Sequence, residues 1–379
     1  MKPVLPPATI GIMGGGQLGM MLVREAQRMG YRTCVWEPTT DCPASRLADQ
    51  TITSPYDDSA ALEKFAGVSD VITYEFENID VDPVAELELL RPLAPASGIL
   101  SISQNRSREK YELQRRGFPT VPYEIARSRE GVAEAIRQIG GPAVVKTTTS
   151  GYDGKGQAII RNTRDAISFV KSLGSSKREY IVEKFAKLKC ELSVIGARSR
   201  DGRIVIFPVG ENEHIDNILH ITRVPARIPA DLRLKAAEIG KNIMESLDVV
   251  GVLCIELFVT EAGELLVNEL APRPHNSGHY TLDACSISQF EALLRALCGL
   301  PITKPHLFSA CAMINILGDD IERLDYDLLM KEEGIKVHLY GKRRVQQKRK
   351  MGHITIMKPT AEAVEKTLRR VEKMLANGK

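Results

Sequence analysis

The stretch from 140 to 157, GGPAVVKTTTSGYDGKGQ, combines a lysine with closely spaced glycines that could bind a polyanion. Val and Thr at 143–147 favour a short buried strand that contains Lys146. The glycines between 151 and 156 then predict a loop whose backbone approaches a ligand closely. Lys146 would supply a point charge and the loop amides a concave anion site. A surface hairpin with a solvated lysine is the alternative, and no Gly-Lys-Ser/Thr of a Walker loop opens a helix here.

Two carboxylates, Glu256 and Glu269, lie in apolar strands on either side of Ala262-Gly263. If these two residues form the hairpin loop, Glu256 lies directly opposite Glu269 on one face of the sheet. Buried like charges repel, and Mg²⁺ with oxygen ligands would relieve the repulsion. A shared proton and a solvated pair at a sheet edge are the alternatives. A loop one residue longer would shift the register, and Asn268 is expected on the opposite face, within reach at the strand end.

The loop that follows these strands, APRPHNSGH at 271–279, is dense in hydrogen-bond donors. Arg273, His275 and Asn276 stand within four residues of one another. A lone histidine is more often structural, but this combination beside a metal indicates a site for a small anion or an oxyanion.

The first glycine turn, Gly14-x-Gly16-x-x-Gly19, follows a predicted strand and opens a predicted helix. With Glu37 about 20 residues on, the segment fits the dinucleotide fingerprint. The same turn would also hold the phosphate of another ligand at the helix N-terminus. Both ligand classes therefore remain open from this segment.

Charged residues elsewhere add weaker signals. Glu75 and Glu77 follow a predicted strand, at the sheet edge where α/β proteins bind ligands, or they are solvated loop acids. Arg106 and Lys110 share a face of a helix predicted at 102–116, facing either solvent or phosphates. Residues 211–214 are expected in a polar loop. The basic run at 341–350 predicts a solvated loop or a nucleic-acid patch, or it could hold a phosphate monoester.

The composition is that of an ordinary globular protein: 379 residues, 43% hydrophobic and 26% charged. A net charge of +3 argues against a general nucleic-acid binder. Seven scattered cysteines without a Cys-x-x-Cys pair indicate reduced thiols. No apolar stretch of about 18 residues and no signal core is present, so we expect a cytoplasmic protein without membrane association.

Alternating strands and helices predict an α/β fold with three parts. A Pro- and Gly-rich segment ends the first domain near residue 98, and Gly299 and Pro301 end the second. The predicted domains are therefore 1–98, 99–299 and 300–379.

Several stretches together resemble the ATP-grasp superfamily and, within it, the N5-carboxyaminoimidazole ribonucleotide synthetase family. They are GGGQLG (14–19), YEFEN (74–78), VVKTTTSGYDGKGQ (144–157), ENEH (211–214), NELAPRPHNSGHY (268–280), SQFE (288–291) and YGK…RKMGHIT (340–355). Pro274 is a departure, since relatives more often carry valine there. The resemblance covers essentially the whole chain.

This resemblance implies a Rossmann-like pre-ATP-grasp βαβ domain that binds a ribonucleotide, a central ATP-grasp fold, and a small C-terminal α+β domain that closes the site. ATP would lie between two antiparallel sheets, with Mg²⁺ on Glu256 and Glu269. The expected ATP-binding residues are Arg106, Lys146, Gly151, Tyr152, Asp153, Gly154, Lys155, Gly156, Gln157, Glu183, Lys184, Phe185, Ala186, Glu191, His214, Asn268 and Glu269.

The implied reaction joins bicarbonate to 5-aminoimidazole ribonucleotide with cleavage of ATP to ADP and phosphate. Bicarbonate would attack the γ-phosphoryl group, and the amine would capture CO₂ released from carboxyphosphate. Arg273, His275 and Asn276 would hold bicarbonate, and Asp153 is the candidate for orienting or deprotonating the amine. The ribonucleotide, rather than a dinucleotide, would then contact Gln17, Leu18, Glu75, Lys342 and Arg349.

Three rival functions remain at this stage. They are another ATP-grasp ligase with a different acceptor, an NAD(P)-dependent oxidoreductase, and a non-catalytic nucleotide-binding module. The family also suggests a homodimer and a transient hand-over of the product to a mutase.

Overall fold

The computed structural model describes residues 2–149, 156–173 and 178–377. Its strands are β1 Thr9–Met13, β2 Arg32–Trp36, β3 Gln50–Ile52, β4 Val71–Tyr74, β5 Tyr123–Ala126, β6 Ala143–Thr147, β7 Gln157–Ile160, β8 Tyr180–Lys184, β9 Leu188–Arg198, β10 Ile204–Ile206, β11 Gly210–Ile215, β12 Ile218–Val224, β13 Gly251–Thr260, β14 Leu265–Ala271, β15 Ala310–Leu317, β16 Ile335–Leu339 and β17 Lys350–Lys358. Its α-helices are α1 Gln17–Arg28, α2 Ser59–Val68, α3 Val81–Leu90, α4 Ser97–Ser103, α5 Arg106–Arg115, α6 Arg129–Ile139, α7 Thr163–Ser172, α8 Ala230–Ser246, α9 Thr281–Ala284, α10 Gln289–Leu297, α11 Tyr326–Lys331 and α12 Ala361–Asn377.

The N-terminal strands form a parallel sheet in the order β3-β2-β1-β4. All residues of β4 are buried, and so are all but the first of β1 and β2, because helices cover parallel sheets. The α1 helix opens at the carboxyl end of β1. This arrangement confirms the βαβ unit predicted from the first glycine turn.

The glycine turn binds a carboxylate of the protein itself. Glu75, directly after β4, accepts hydrogen bonds from the N–H groups of Gly16 and Gly19, the latter at 2.5 Å. Gly14 has a φ of +102°, and a Cβ there would collide with the Glu75 side chain. Glu37 accepts the N–H of Gly15 at 2.9 Å. The amides that could bind the phosphates of a dinucleotide are thus already engaged, which removes the basis for the oxidoreductase hypothesis.

Two antiparallel sheets follow. The smaller has the order β5-β8-β6-β7, and the larger has the order β14-β13-β9-β11-β12-β15-β17-β16, with β10 paired to β9. Strands of the C-terminal part extend the larger sheet, because β15 pairs directly with β12. Residues 211–214 lie in β11, so the prediction of a polar loop there was wrong. The polar side chains find partners within the fold, as Glu211 does with Arg227 at 2.5 Å. A polar stretch can therefore form a strand, and its composition alone does not indicate a loop.

The helix predicted at 102–116 is divided into α4 and α5. The first helix ends at Ser103, and Asn105 caps the second, since its side chain accepts hydrogen bonds from the N–H groups of Ser107 and Arg108. This capping pattern is typical of a helix start, and it turns the first residue of α5, Arg106, toward the space between the two antiparallel sheets.

The hydrophobic core joins the N-terminal sheet to the central sheet. Helix α10 supplies Phe290 and Leu293, which are fully buried with Leu22 of α1 in one cluster. Arg28 of α1 also pairs with Glu291 of α10 across this contact. The parts of the chain that carry the predicted ribonucleotide and ATP residues are therefore packed against each other. No helix among the described residues is long and apolar enough to span a membrane.

The β13–β14 hairpin has a turn one residue longer than predicted. Val259 lies opposite Leu265, and Leu257 opposite Val267. A β-bulge then inserts Asn268 into β14, so that the next pair is Glu256 and Glu269. The predicted pairing of these two carboxylates is thus confirmed, although it is produced by a bulge that compensates for the longer turn.

Candidate active site

A cleft of about 530 Å³ lies between the two antiparallel sheets. Residues from both sheets and from α5 line it, and it opens beside the loop after β14. The predicted ATP, metal and bicarbonate residues that line it are Arg106, Lys146, Gln157, Glu183, Lys184, Phe185, Ala186, Glu191, His214, Glu256, Asn268, Glu269, Arg273, His275 and Asn276. The structure therefore brings together residues that are spread over 170 positions of the sequence.

The Glu256 and Glu269 carboxylates form the negative side of the cleft. Burial and the nearby Glu269 carboxylate raise the pKa of Glu256 to about 7. Arg106 Nη2 lies 3.7 Å from Glu269 Oε2, and His275 Nε2 lies 3.4 Å from Glu256 Oε1. Two carboxylates and the side-chain amide of Asn268 offer the hard oxygen ligands that Mg²⁺ prefers. The donor set and the raised pKa both fit a divalent cation, since its charge would favour the ionised form of both carboxylates.

The opposite side of the cleft carries the buried carboxylate of Glu183. Its Oε2 lies 2.5 Å from Lys146 Nζ and its Oε1 lies 3.5 Å from Lys110 Nζ. Burial opposes the charge, but the two ammonium groups lower the pKa of Glu183 to about 2. The side chain of Glu183 therefore fixes Lys146 at the cleft, and the strand end at Lys184–Ala186 continues the cleft wall.

Glu191 and His214 lie side by side on β9 and β11. His214 Nδ1 is 3.1 Å from Glu191 Oε2. Burial alone would lower the pKa of His214, but the nearby Glu191 carboxylate outweighs burial and raises the pKa. The pair lies at the wall of the cleft where the resemblance places the ATP ribose.

The loop after β14 is held by contacts from three directions. Arg273 forms a two-point ion pair with Glu77, with Nη2 2.7 Å from Oε1, and this pair lowers the pKa of Glu77 against the opposing effect of burial. The side chain of Gln289 accepts the N–H of His275 at 2.9 Å and donates to its carbonyl at 2.8 Å. Asn276 exchanges hydrogen bonds with Asn315 of β15 at 3.0 and 2.7 Å.

The His275 imidazole has a defined tautomer. Its Nδ1 accepts the N–H of Ser277 at 3.3 Å, which leaves the ring proton on Nε2, facing Glu256. Burial and the charge of Arg273 keep the pKa of His275 well below its usual range. His275 is therefore a neutral hydrogen-bond donor at the floor of the cleft.

The predicted ribonucleotide residues lie where the N-terminal sheet meets the loop before β17. Lys342 Nζ donates to Gln17 Oε1 and to the Lys350 carbonyl, both at 2.7 Å. Burial and the neighbouring Arg349 lower the pKa of Lys342 to about 8. Arg349 donates to the Arg344 carbonyl at 3.1 Å. These residues form a cationic group above the α1 N-terminus.

Two of the predicted ribonucleotide residues are engaged within the protein. Glu75 binds the glycine turn, and the Leu18 side chain is buried in the core. Of the predicted ATP residues, Gly151, Tyr152, Asp153, Gly154 and Lys155 lie outside the described residues. Gly156 precedes β7, where its carbonyl accepts the N–H of Thr147 at 3.0 Å.

Sequence reasoning missed the roles of Glu109, Lys110 and Glu77. Lys110 is only 1% exposed and faces neither solvent nor the place of a phosphate, since it binds main-chain carbonyls of β14. A signal was available in α5. Glu109 and Lys110 lie on the same face of the helix as Leu113, which is apolar. A helix that buries Leu113 against the core therefore also buries these two charged residues.

Comparisons with known proteins cover most of the chain. The ribonucleotide synthetase pre-ATP-grasp domain matches residues 7–104, the ATP-grasp domain 111–290, and the phosphoribosylaminoimidazole carboxylase C-terminal domain 311–367. The N5-carboxyaminoimidazole ribonucleotide synthase of Bacillus subtilis is 45% identical over 355 residues, which are 94% of this chain and 93% of that protein. The Brucella melitensis protein of the same name is 42% identical, over 93% of this chain and 97% of that protein.

Solved structures agree with these matches. An ADP complex of N5-carboxyaminoimidazole ribonucleotide synthetase superposes with a TM-score of 0.93 at 43% identity, and covers 98% of both chains. The Aspergillus clavatus N5-carboxyaminoimidazole synthase, solved with ADP and 5-aminoimidazole ribonucleotide, has a TM-score of 0.89 at 28% identity, over 97% of this chain and 98% of that chain. With its three domains, its opposed carboxylates and these relatives, the chain belongs to the N5-carboxyaminoimidazole ribonucleotide synthase family of ATP-grasp enzymes.

Proposed function

We propose that the chain carboxylates 5-aminoimidazole ribonucleotide with bicarbonate to N5-carboxyaminoimidazole ribonucleotide, with cleavage of ATP to ADP and phosphate, in purine biosynthesis. The observation that carries this function is a single cleft. Lys146 and Arg106 line it together with Glu256 and Glu269. Such an arrangement of cations and opposed carboxylates suits phosphoryl transfer, which depends on positioning and charge.

ATP would lie in the cleft between the two antiparallel sheets. The wall at Lys184, Phe185 and Ala186 would meet the adenine, and the Glu191–His214 pair would lie near the ribose. Lys146 is held 2.5 Å from Glu183, which keeps its ammonium group in place to meet the phosphates. Arg106 and the 151–157 loop would complete the phosphate site.

Glu256 and Glu269 would hold Mg²⁺ with help from Asn268. When bound there, Mg²⁺ would neutralise charge that develops on the transferred phosphoryl group. The bulge directs both carboxylates to one face, and His275 donates toward Glu256 from its neutral ring. These side chains thus orient the pair before the nucleotide arrives.

Bicarbonate would bind at the loop after β14, where an oxygen attacks the γ-phosphorus. The attack forms carboxyphosphate and releases ADP, and carboxyphosphate then breaks into CO₂ and phosphate. Arg273 is fixed by Glu77, and His275 by Gln289, so both donors are held before the anion binds. Asn276, fixed by Asn315, would contribute a third donor.

The ribonucleotide would occupy the cationic group at the edge of the N-terminal sheet. Lys342 and Arg349 would contact its phosphate, and Gln17, Leu18 and Glu75 would position it. Lys342 is joined to the carbonyl of Lys350, which itself lines the ATP cleft. The two proposed sites are therefore neighbours, and CO₂ released beside His275 would pass from one to the other to reach the exocyclic amine. Asp153 remains the candidate for orienting or deprotonating that amine.

The assembly and the location of the enzyme are further proposals. We propose a cytoplasmic homodimer that hands its product transiently to a mutase. All seven cysteines are free thiols, which supports a reducing compartment. Sedimentation at several concentrations would test the homodimer.

The experiment that tests the function measures ADP release with ATP and Mg²⁺, in the presence and absence of bicarbonate and of 5-aminoimidazole ribonucleotide. The proposal predicts strong stimulation that requires both. Release that does not respond to the ribonucleotide would point to a different acceptor. ATP binding without any turnover would point to a nucleotide-binding module.

A further inference from the structure

The bulge at Asn268 decides which way the Glu269 carboxylate points. Between the turn and the bulge, Leu257 lies opposite Val267. If this register continued without the extra residue, Glu256 would face Asn268, and Glu269 would point to the other face of the sheet. The pairing of Glu256 with Glu269 therefore exists only while the bulge persists.

Strand β14 is an edge strand, so its outer main-chain groups need partners from outside the sheet. Lys110 of α5 supplies two of them. Its Nζ donates to the carbonyl of Val267 at 3.1 Å and to the carbonyl of Asn268 at 2.8 Å. Successive carbonyls of a regular strand point in opposite directions, and only a bulge turns two of them to the same side. The ammonium group is therefore complementary to the bulged backbone and not to a regular strand.

Glu109, the preceding residue of α5, holds the other end of the bulge. Its Oε1 accepts the N–H of Leu270 at 2.7 Å. The contacts of Glu109 and Lys110 thus lie on both sides of Glu269 in the sequence. Both side chains are only 1% exposed, so the main-chain groups they bind would find no water in their place.

Lys110 also links the bulge to the smaller sheet. The third neighbour of its ammonium group is Glu183 Oε1 at 3.5 Å, and Glu183 in turn holds Lys146. One buried cation is therefore shared by the backbone beside the metal ligands and by the carboxylate that fixes the phosphate-binding lysine. The Glu109 carboxylate accepts the N–H of Leu270 and is also close enough to Glu269 for the two charges to repel. Substitutions of Glu109 that are matched in charge therefore test the hydrogen bond to the bulge.

We propose that Glu109 and Lys110 are positioning residues that hold the β-bulge at Asn268 and thereby keep the Glu269 carboxylate opposite Glu256. They act through the main chain of β14, so divalent metal binding depends on them although they supply no metal ligand. This inference rests on the proposed function, because it takes Glu256 and Glu269 as the metal ligands.

The test compares Lys110→Met with Leu113→Ala. Met keeps the length of the side chain but donates no hydrogen bond. Leu113 is a buried residue of the same helix, and its truncation destabilises the protein but removes no hydrogen bond to the bulge. Mn²⁺ is titrated in the presence of saturating ADP, and free Mn²⁺ is read by electron paramagnetic resonance. Lys110→Met is expected to weaken Mn²⁺ binding by about tenfold or more, and Leu113→Ala by less than about twofold.

A second pair of variants distinguishes an effect on the bulge from an effect on Glu183. It also provides the test if Lys110→Met does not fold. Glu109→Gln keeps an oxygen that can accept the N–H of Leu270, and Glu109→Met does not. Mn²⁺ affinity should be near wild type in the former and about tenfold weaker in the latter. ADP affinity measured in EDTA should change less than Mn²⁺ affinity in both.

The outcomes distinguish this inference from the proposed function. If the wild-type protein binds no Mn²⁺ with ADP, the assignment of the metal site fails. If it binds Mn²⁺ and Glu109→Met binds it equally well, the positioning role is overturned. Equal losses in Leu113→Ala and Lys110→Met would also overturn it, since general destabilisation would then explain the effect.

Discussion

The carboxylates of Glu256 and Glu269 lie opposite each other on β13 and β14, on the same side as His275 and Arg106. Their position is electrostatically unfavourable without a cation, because burial and mutual repulsion raise the pKa of Glu256 to about 7. The free protein thus carries a stored repulsion that a divalent metal with nucleotide would relieve.

Glu256→Gln should therefore stabilise the metal-free protein and abolish turnover. A carboxyl group with a raised pKa in the folded state contributes stability below about pH 4.5, and this contribution is lost as the pH rises through about 7. At pH 8 the free energy of unfolding of the variant should exceed that of wild type by on the order of 1 to 3 kcal/mol, and at pH 4.5 the two should be equal. Thermal unfolding in EDTA at the two pH values measures this.

The control for this substitution is Glu264→Gln, an exposed carboxylate in the turn of the same hairpin. It should leave both stability and activity unchanged. MgADP should raise the unfolding temperature of wild type and of Glu264→Gln but not that of Glu256→Gln. An equal shift in all three would mean that Glu256 does not hold the metal.

The sequence predicted the Glu256–Glu269 pair but not the way in which it forms. Turn length depends on local hydrogen bonds, and here Thr260 accepts the N–H of Gly263 at 2.9 Å, which lengthens the turn. The bulge restores the pairing through contacts with Glu109 and Lys110, which lie more than 150 positions away. Periodicity within a hairpin cannot carry such information.

The first glycine turn shows the same limit. Its spacing predicts an anion at the start of α1, and an anion is there, but it is the Glu75 carboxylate of the protein itself. The sequence showed the glycines and the acid separately. Only the parallel pairing of β1 with β4 brings them together, and that pairing is a property of the fold. Local elements such as β6, by contrast, have the predicted bounds, since their residues pack as their types favour.

Lys146→Met should reduce kcat and weaken ATP binding. The Lys146 ammonium group is the cation that Glu183 holds at the cleft, and Met cannot neutralise phosphate charge. A loss of kcat/KM for ATP of about two to three orders of magnitude is expected, as for other charge-stabilising groups at reacting centres. Lys189→Met, an exposed lysine of β9, is the matched control and should keep wild-type kinetics. Steady-state kinetics with saturating ribonucleotide would decide, and a change below tenfold would contradict the assignment.

Glu75→Ala should destabilise the N-terminal sheet and weaken ribonucleotide binding. It removes the acceptor for the buried N–H of Gly19 and the partly buried N–H of Gly16, at a cost of about 1 to 3 kcal/mol for each buried group that stays unpaired. Glu75→Gln keeps one acceptor oxygen, so its stability and its ribonucleotide affinity should lie between those of Glu75→Ala and wild type. Inorganic phosphate should stabilise Glu75→Ala more than wild type, because the vacated helix N-terminus would accept an anion. No difference in the response to phosphate would show that Glu75 is not the occupant of an anion site.

Asp153→Ala should abolish carboxylation while ATP binding stays intact. The Asp153 carboxylate is proposed to act on the amine, whereas the other residues of the 151–157 loop would bind the phosphates, since a carboxylate offers them no donor. Product formation and ATP affinity are measured on the same preparation, with Asp165→Ala, in α7, as the comparison. Full carboxylation activity in Asp153→Ala would remove this residue from the mechanism.

Acid should loosen the contact between the loop after β14 and the C-terminal strands, because two buried histidines lie there. The rings of His279 and His353 are fully buried with their centroids 4.8 Å apart, and His338 stacks on His353 at 4.4 Å. Burial and the neighbouring imidazoles keep the pKa values of His279 and His353 well below the usual range. Both rings therefore stay neutral in the folded protein, whereas in the unfolded chain they take up protons below about pH 6.5.

Since the unfolded state binds more protons, stability is present above about pH 6.5 and is lost as the pH falls below it. At pH 5.5 each histidine that stays neutral in the folded protein should lower the free energy of unfolding by about 1.4 kcal/mol. His353→Asn should reduce the loss of stability between pH 7.5 and 5.5 by about that amount, while His306→Asn, at an exposed position, should not. Denaturant unfolding at the two pH values measures both. An unchanged pH dependence in His353→Asn would show that acid acts on the fold elsewhere, since this ring would then make no difference to proton uptake on unfolding.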